Sequence, residues 1–318
     1  MRILVTGAAG FIGSHLAETL LQRGDTVAAL DCFNDYYDPA VKRRNIAEAS
    51  MHPEYTLHET DICDEDGLRA VFTAFKPEVV VHLAARAGVR PSLRDPNLYH
   101  RVNVIGSQHV LDACRDFEVS HLVFASTSSV YGGSRDVPFR ESDPVMKPVS
   151  PYAATKRMNE LMAHVYHHVY GLRVTMLRFF TVYGPRQRPD MAIHLFARKL
   201  LAGEALPLFG DGTSARDYTY IDDIIDGVVK AVDRPFGYEI FNLGENQTTR
   251  LDGLVDLLSK ALGVTARVER KPFQPGDVEI TCADINHARD ALGYAPRFGM
   301  EEGLARFVAW LRETEATA

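Results

Sequence analysis

The chain is expected to fold as an α/β protein, with a doubly wound parallel sheet and a second, smaller α/β domain. Three observations predict this. Short apolar runs alternate with helix-periodic stretches through the first 180 residues. A glycine triplet, Gly7…Gly10…Gly13, stands between the first apolar run and the first helical stretch. After about Thr181 the chain becomes loop-rich, punctuated by Gly184-Pro185 and Gly210-Asp211-Gly212. The strand–helix order of the first half is that of parallel strands joined by helical crossovers.

The elements follow in order. Ile3–Val5 is a short apolar strand ending at Thr6-Gly7, and Phe11–Gln22 has helical periodicity closed by Arg23-Gly24. Thr26–Leu30 is a second strand running into Asp31, and Tyr55–Glu59 a third. Glu65–Phe75 reads as a helix that stops before Pro77. Val79–Leu83 is an unbroken apolar run, as a strand covered on both faces requires. Asn97–Arg115 is expected as one long helix, His121–Ala125 as a strand, Pro151–Tyr170 as a helix and Leu172–Leu177 as a strand. Beyond Thr181, helices are expected near Ala192–Ala202, Leu251–Leu262 and Glu301–Leu311. The reading places a cofactor domain at residues 1–180, with 215–240 returning to it, and a substrate domain at 181–318; no clean linker separates them.

A length of 318 residues suits about two domains. The net charge of −7 argues against a nucleic-acid binder, which would carry a basic face. No apolar run approaches a membrane span, and Arg2–Thr6 already reads as a strand, so no leader is expected and the cytoplasm is the expected location. Cys32, Cys63, Cys114 and Cys282 have no CxxC spacing and read as buried, reduced, apolar residues. His164 and His168 lie four apart but lack a third ligand, so no metal site is expected. His82 reads as a packed residue of the fourth strand, and Leu161, Val165 and Val169 as a buried helix stripe.

The glycine spacing is GxxGxxG, between a strand and a helix. There Gly7 permits the tight turn, Gly10 the approach of a diphosphate and Gly13 the close packing of helix on strand. This is a Rossmann-type dinucleotide fingerprint. Asp31 stands 18 residues beyond Gly13, where a carboxylate accepts from ribose hydroxyls and repels a 2′-phosphate, so NAD is expected rather than NADP; Lys42, Arg43 and Arg44 nearby argue the other way. Asp61-Ile62 would flank the adenine and Leu83-Ala84-Ala85 would run past the cofactor. Tyr152 and Lys156 are four apart, on one helix face. An ammonium fixed beside a phenol lowers a pKa normally near 10, so that the tyrosine can take a hydroxyl proton near neutral pH. Ser126-Thr127-Ser128-Ser129 follows the fifth strand, at the sheet edge where open α/β folds bind ligands. A base that strips a hydroxyl proton beside a nicotinamide makes an alcohol-oxidising site.

On these residues the chain resembles the extended short-chain dehydrogenases/reductases, in the nucleotide-sugar epimerase and dehydratase group, over essentially its whole length. The resemblance implies a catalytic set of Tyr152, Lys156 and Thr127 and an NAD site built from Gly7, Gly10, Phe11, Ile12, Gly13, Asp31, Asn34, Asp61, Ile62, Leu83, Ala84, Ala85, Asn103, Ser126, Tyr152, Lys156 and Phe179. Arg216-Asp217-Tyr218 and Pro275-Gly276-Asp277 resemble segments that contact a uridine diphosphate; where the family usually carries Arg, this chain has Gln274, with Lys271 or Arg270 as replacements. Thr281 matches a position lining the sugar pocket and leaves space there, even for an N-acetyl group.

Within the group, dehydratases commonly place an Asp-Glu pair beside the threonine, and decarboxylases a Glu in the position of Ser129. Neither is present, which leaves 4-epimerisation through a 4-keto sugar. The segments Asn34–Pro39 and Thr181–Met191 resemble those of UDP-glucuronate 4-epimerases. Substrate contacts are expected from Arg90, Thr127, Ser128, Ser129, Thr181, Arg188, Arg216 and Asp277, with Arg188 the first choice to pair with a substrate carboxylate, ahead of Arg186 and Arg90. UDP-glucose and UDP-N-acetylglucosamine stay open as substrates, as do a net nucleotide-sugar oxidoreductase and a non-catalytic NAD binder. The resemblance also implies a homodimer built on the Tyr152 helix and the one near Asn97–Arg115.

Overall fold

The structure is a computed structural model and describes residues 1–274 and 276–316. Strands β1 (Arg2–Thr6), β2 (Thr26–Asp31), β3 (Tyr55–Glu59), β4 (Val79–His82), β5 (His121–Thr127) and β6 (Val174–Phe179) form a parallel sheet in the order β6-β5-β4-β1-β2-β3. The chain then leaves it through β7 (Thr181–Tyr183), β8 (Leu206–Phe209), β9 (Ala215–Arg216) and β10 (Tyr218–Tyr220), and β11 (Tyr238–Leu243) returns to pair in parallel with β6. Outside the sheet, β7 pairs with β10, β12 (Thr249–Arg250) with β9, and β13 (Val268–Lys271) with β8.

Alternation along the strands explains the two helical layers. Ile3 and Val5 pack with Leu16 and Leu20 of α1 (Phe11–Gln22), whereas Leu4 faces the opposite cluster. Short α2 (Pro39–Asn45) starts at Asp38, whose side chain caps the Ala40 amide. Helix α3 (Glu65–Phe75) starts at Asp64, which caps the Gly67 amide, and contributes Leu68 and Phe72 to that opposite cluster. Helices α4 (Val89–Arg94) and α5 (Pro96–Tyr99) lead into a wide π-type turn, His100–Gly106, before α6 (Ser107–Asp116). The single helix expected at Asn97–Arg115 is therefore present, running from Pro96 to Asp116 and widened over His100–Gly106. Within the widened stretch lies Asn103, whose fully buried carboxamide accepts from the Arg86 amide (2.8 Å) and donates to the Arg86 carbonyl (3.0 Å) and to Thr155 Oγ1 (3.1 Å).

Helix α7 (Pro151–Tyr170) has a clear start and stop. Ser150 caps the Ala153 amide, Pro151 occupies the first turn, and Gly171 ends the helix at φ +72°. Its buried face carries Ala153, Lys156, Asn159, Glu160, Ala163 and Tyr166. Leu161, Val165 and Val169, expected to be buried, are instead about half exposed. Of the four cysteines, all free thiols, Cys114 alone is buried and Cys32 is exposed. Helices α8 (Ala192–Leu201), α9 (Ile221–Asp233), α10 (Leu251–Leu262), α11 (Asn286–Leu292) and α12 (Met300–Ala316) complete the described chain, and α9 packs on α1. Among the described residues no helix is long and apolar enough to cross a membrane.

Candidate active site

The C-terminal ends of β1, β2, β4 and β5 open onto a cleft of about 290 Å³ at the point where strand order reverses between β1 and its neighbours. The glycine turn forms its floor. Gly7 sits at φ +70°, and a side chain there would bring its Cβ within 2.8 Å of the Ala84 amide nitrogen. Helix α1 then begins at Gly10 without a side-chain cap, so its first amides face the cleft unclaimed by a side chain. Thr6, behind the turn, is tied to His82 Nδ1 (2.7 Å), and His82 Nε2 to Ser107 (3.0 Å), so His82 holds a buried polar chain besides packing. A backbone cradle that excludes side chains, at a helix N-terminus, fits a dinucleotide diphosphate.

Asp31 closes the next wall. Its carboxylate accepts from the Ala9 amide (3.2 Å) and the Phe33 amide (2.9 Å) and pairs with Lys42 at 3.4 Å. Lys42 thus belongs to Asp31, and Arg43 is engaged with Glu59 while lying 3.7 Å over the Phe33 ring. Neither of the two is left free for a 2′-phosphate. Asn34, Asp61, Ile62, Leu83, Ala84, Ala85, Ser126 and Phe179 line the cleft, together with Phe11, Ile12 and Gly13. Asn103 does not. It stands behind the wall, where it pins the backbone of Arg86. The Ser126 hydroxyl is also turned away, donating to Glu160 (2.6 Å), so only the rest of that residue faces the cleft.

Tyr152, Lys156 and Thr127 meet at the inner end. Lys156 is buried and donates to the Ala125 carbonyl (2.9 Å); burial pushes its ammonium down to about 8, opposed by the charge of Glu160. The lowering of the Tyr152 phenol expected from Lys156 is not what the structure gives. Burial raises it above its ordinary value, and the groups that work downward are the Thr127 hydroxyl and the Arg188 guanidinium. Thr127 Oγ1 in turn accepts from the Ser129 amide (3.2 Å).

A second cavity, of about 170 Å³, collects Ser128, Ser129, Thr181, Arg216, Asp277 and Thr281. Arg90 reaches its rim by pairing with Asp277 (2.7 Å). Burial holds Arg216 below its ordinary pKa, with Arg90 adding to this and Tyr218 and Asp277 opposing it; two guanidiniums against one carboxylate leave the rim positive. Pro275, in the same loop, lies outside the described residues. The candidate replacements for the missing arginine are occupied: Arg270 donates to the Asp211 carbonyl and Lys271 pairs with Glu269.

Arg188 is found in the first cleft and not the second. Its Nε and Nη2 grip Asp190 at 2.9 and 2.8 Å, so the edge expected to bind a substrate carboxylate already holds one. Arg186 pairs with Glu18. Sequence reasoning missed Tyr36, Tyr99 and Asp190, which gather around Arg188, and Glu160 behind Lys156. Glu160 had a signal: it follows Lys156 by the same four residues that separate Lys156 from Tyr152.

The family model for NAD dependent epimerases/dehydratases matches residues 3–244. A UDP-glucuronate 4-epimerase of Thermodesulfobacterium geofontis is 42% identical over 98% of this chain and 96% of its own length. The crystal structure of a Bacillus cereus UDP-glucuronic acid 4-epimerase, in complex with UDP-glucuronic acid and NAD, superposes with a TM-score of 0.93 at 36% identity, covering 99% of this chain and all of that one. A Thermotoga maritima UDP-glucose 4-epimerase with UDP-glucose gives a TM-score of 0.91 at 34% identity, over 99% of this chain and 100% of that one. Fold, cleft and relatives agree: this chain belongs to the NAD-dependent epimerase/dehydratase family.

Proposed function

We propose that the protein interconverts UDP-glucuronate and UDP-galacturonate at C4 of the sugar. The observation that carries this reading is the floor between the two cavities. Thr127 lines the first cavity with Tyr152, Ser128, Ser129 and Thr181 offer hydroxyls in the second, and no carboxylate stands at positions 128 or 129 to drive dehydration or decarboxylation. NAD, held by the glycine turn and Asp31, supplies a reversible hydride acceptor. Tyr152 takes the proton from the C4 hydroxyl and later returns it to the same oxygen, with Lys156 maintaining charge behind it, while the C4 hydride that NAD would accept comes back to the opposite face of the carbon once the 4-keto sugar has turned over. Arg90 and Arg216 bind the diphosphate at the positive rim. A 4-keto uronate is a β-keto acid and prone to lose CO₂. The same four hydroxyls guard against this by holding the carboxylate ionised and turned so that its C–C bond stays out of line with the ketone.

Two parts of the molecule support this arrangement, a cofactor part at residues 1–180 joined by 215–240, and a substrate part from the remaining C-terminal segments. Cytoplasmic location fits four free thiols. A second substrate reading, UDP-N-acetylglucosamine, is favoured by Thr281, which is small and lines the second cavity. Incubation of the protein with each UDP-sugar, without added NAD, distinguishes these readings by proton NMR. UDP-galacturonate formed from UDP-glucuronate, with no pentose product, is expected. Turnover of neutral or N-acetylated sugars alone, or accumulation of soluble NADH, overturns the assignment.

A homodimer is supported by α7, where Met158, Leu161, Val165 and Val169 make an exposed apolar stripe at helical spacing beside Ile105 of the π-type turn. Leu161→Glu with Val165→Glu is expected to turn a dimer into a monomer in sedimentation velocity. An unchanged sedimentation coefficient would exclude this face.

A further inference from the structure

We propose that Asp190 is a positioning residue for the proton-transfer step: by holding the Arg188 guanidinium against Tyr36, it sets how much positive charge the Tyr152 phenol feels. The inference rests on Tyr152 being the base proposed above. The geometry is a closed cluster. Arg188 lies 5.1 Å over the Tyr36 ring with two nitrogens on Asp190, and the Tyr36 hydroxyl points at the same carboxylate (3.4 Å). Tyr99, whose hydroxyl donates to the Ala87 carbonyl (2.7 Å), meets the ring of Tyr152 edge-on at 6.2 Å. Arg188, Tyr36 and Tyr152 line the same cleft.

The charge pattern gives the pair its consequence. Tyr152 is faced by Thr127 from β5, by Tyr36 from the loop after β2, by Tyr99 from α5, by Lys156 on its own helix and by Arg188 from the loop after β7. Lys156 gives its hydrogen bond to Ala125 and is balanced by Glu160. Arg86 covers Tyr36 as well and pairs with Asp35 at 3.7 Å. Arg188 is thus a second cation, besides Lys156, in the cleft that holds the phenol, and Asp190 is its counter-ion. A neutralised guanidinium stabilises a phenolate less than a free one.

The test is a titration that needs no substrate. Holoenzyme labelled with 3-fluorotyrosine gives a fluorine resonance for Tyr152, assigned by its absence in Tyr152→Phe. Asp190→Asn keeps the shape of the partner and removes its charge, and should lower the titration midpoint by about one pH unit; Arg188→Gln should raise it by a similar amount. In the double variant the midpoint should follow Arg188→Gln, because Asp190 acts only through Arg188. Midpoints that stay at the wild-type value, or that move in the same direction in both single variants, overturn the proposal. A protein that fails to turn over UDP-glucuronate would defeat the proposed substrate and still leave this titration to decide the role of Asp190.

Discussion

Tyr152→Phe is expected to lower the epimerisation rate by about 10³-fold while both the cofactor and the UDP-sugar remain bound. The ring stays, and with it the edge-on contact to Tyr99 at 6.2 Å; only the hydroxyl that meets Thr127 is lost. The glycine turn, Asp31 and the Arg90–Arg216 rim are untouched, so affinity has no reason to fall. Turnover followed by NMR, with bound NAD measured after denaturation, checks both halves. A variant that retains a tenth or more of the wild-type rate would remove Tyr152 from the proton path.

Glu160→Ala is expected to destabilise the fold by about 3–5 kcal/mol, because it strands a buried guanidinium. Arg178 and Glu160 have side chains 1% and 0% exposed. The Glu160 carboxylate accepts from Arg178 at 2.8 and 2.9 Å, from Ser126 at 2.6 Å and from Arg157 at 2.9 Å. Arg178 continues to the Tyr131 hydroxyl (2.9 Å), which donates to Asn242 on β11 (2.7 Å). Burial works to raise the Glu160 carboxyl; Arg178, Ser126 and Arg157 overcome it and hold it below the ordinary value. A depressed carboxylate pKa makes a contribution to stability that is complete above its unfolded value and is lost as pH falls through its folded value. Urea denaturation should therefore show the wild-type advantage over Glu160→Ala at neutral pH and its shrinkage in acid. Replacing both partners, Glu160→Leu with Arg178→Met, should recover much of the loss. A single variant as stable as wild type would show that the pair contributes nothing to the fold.

The sequence made local periodicities legible. Helices at Phe11–Gln22, Glu65–Phe75, Pro151–Tyr170 and Leu251–Leu262 have the expected bounds, because caps, glycines and prolines sit next to the residues they govern. The Tyr152–Lys156 pair is legible for the same reason: one turn of one helix fixes it. Interactions across the chain were not. Asn103 lies in the widened stretch of its helix and bonds Arg86 and Thr155, 17 residues before it and 52 after it. The apolar stripe of α7 has the spacing of a core face and is half exposed, since spacing gives the face of a helix and not what covers it. Asp190 pairs with Arg188 from only two residues away, a contact that the spacing alone does not announce.

The return of β11 to β6 has a consequence for how the protein can be made and divided. The last strand of the main sheet is complete only when synthesis has reached Leu243, well after its neighbour β6 has been made. Until then, β6 presents an unpaired apolar edge, the kind of surface on which chains stick to one another. A fragment ending at residue 180 would carry the glycine turn, Tyr152 and Lys156, yet it would expose Val174–Phe179 and lack Asn242, the far anchor of the Tyr131–Arg178–Glu160 chain. The cofactor half is therefore not an excisable module, and a single piece that carries the whole sheet has to extend through Leu243.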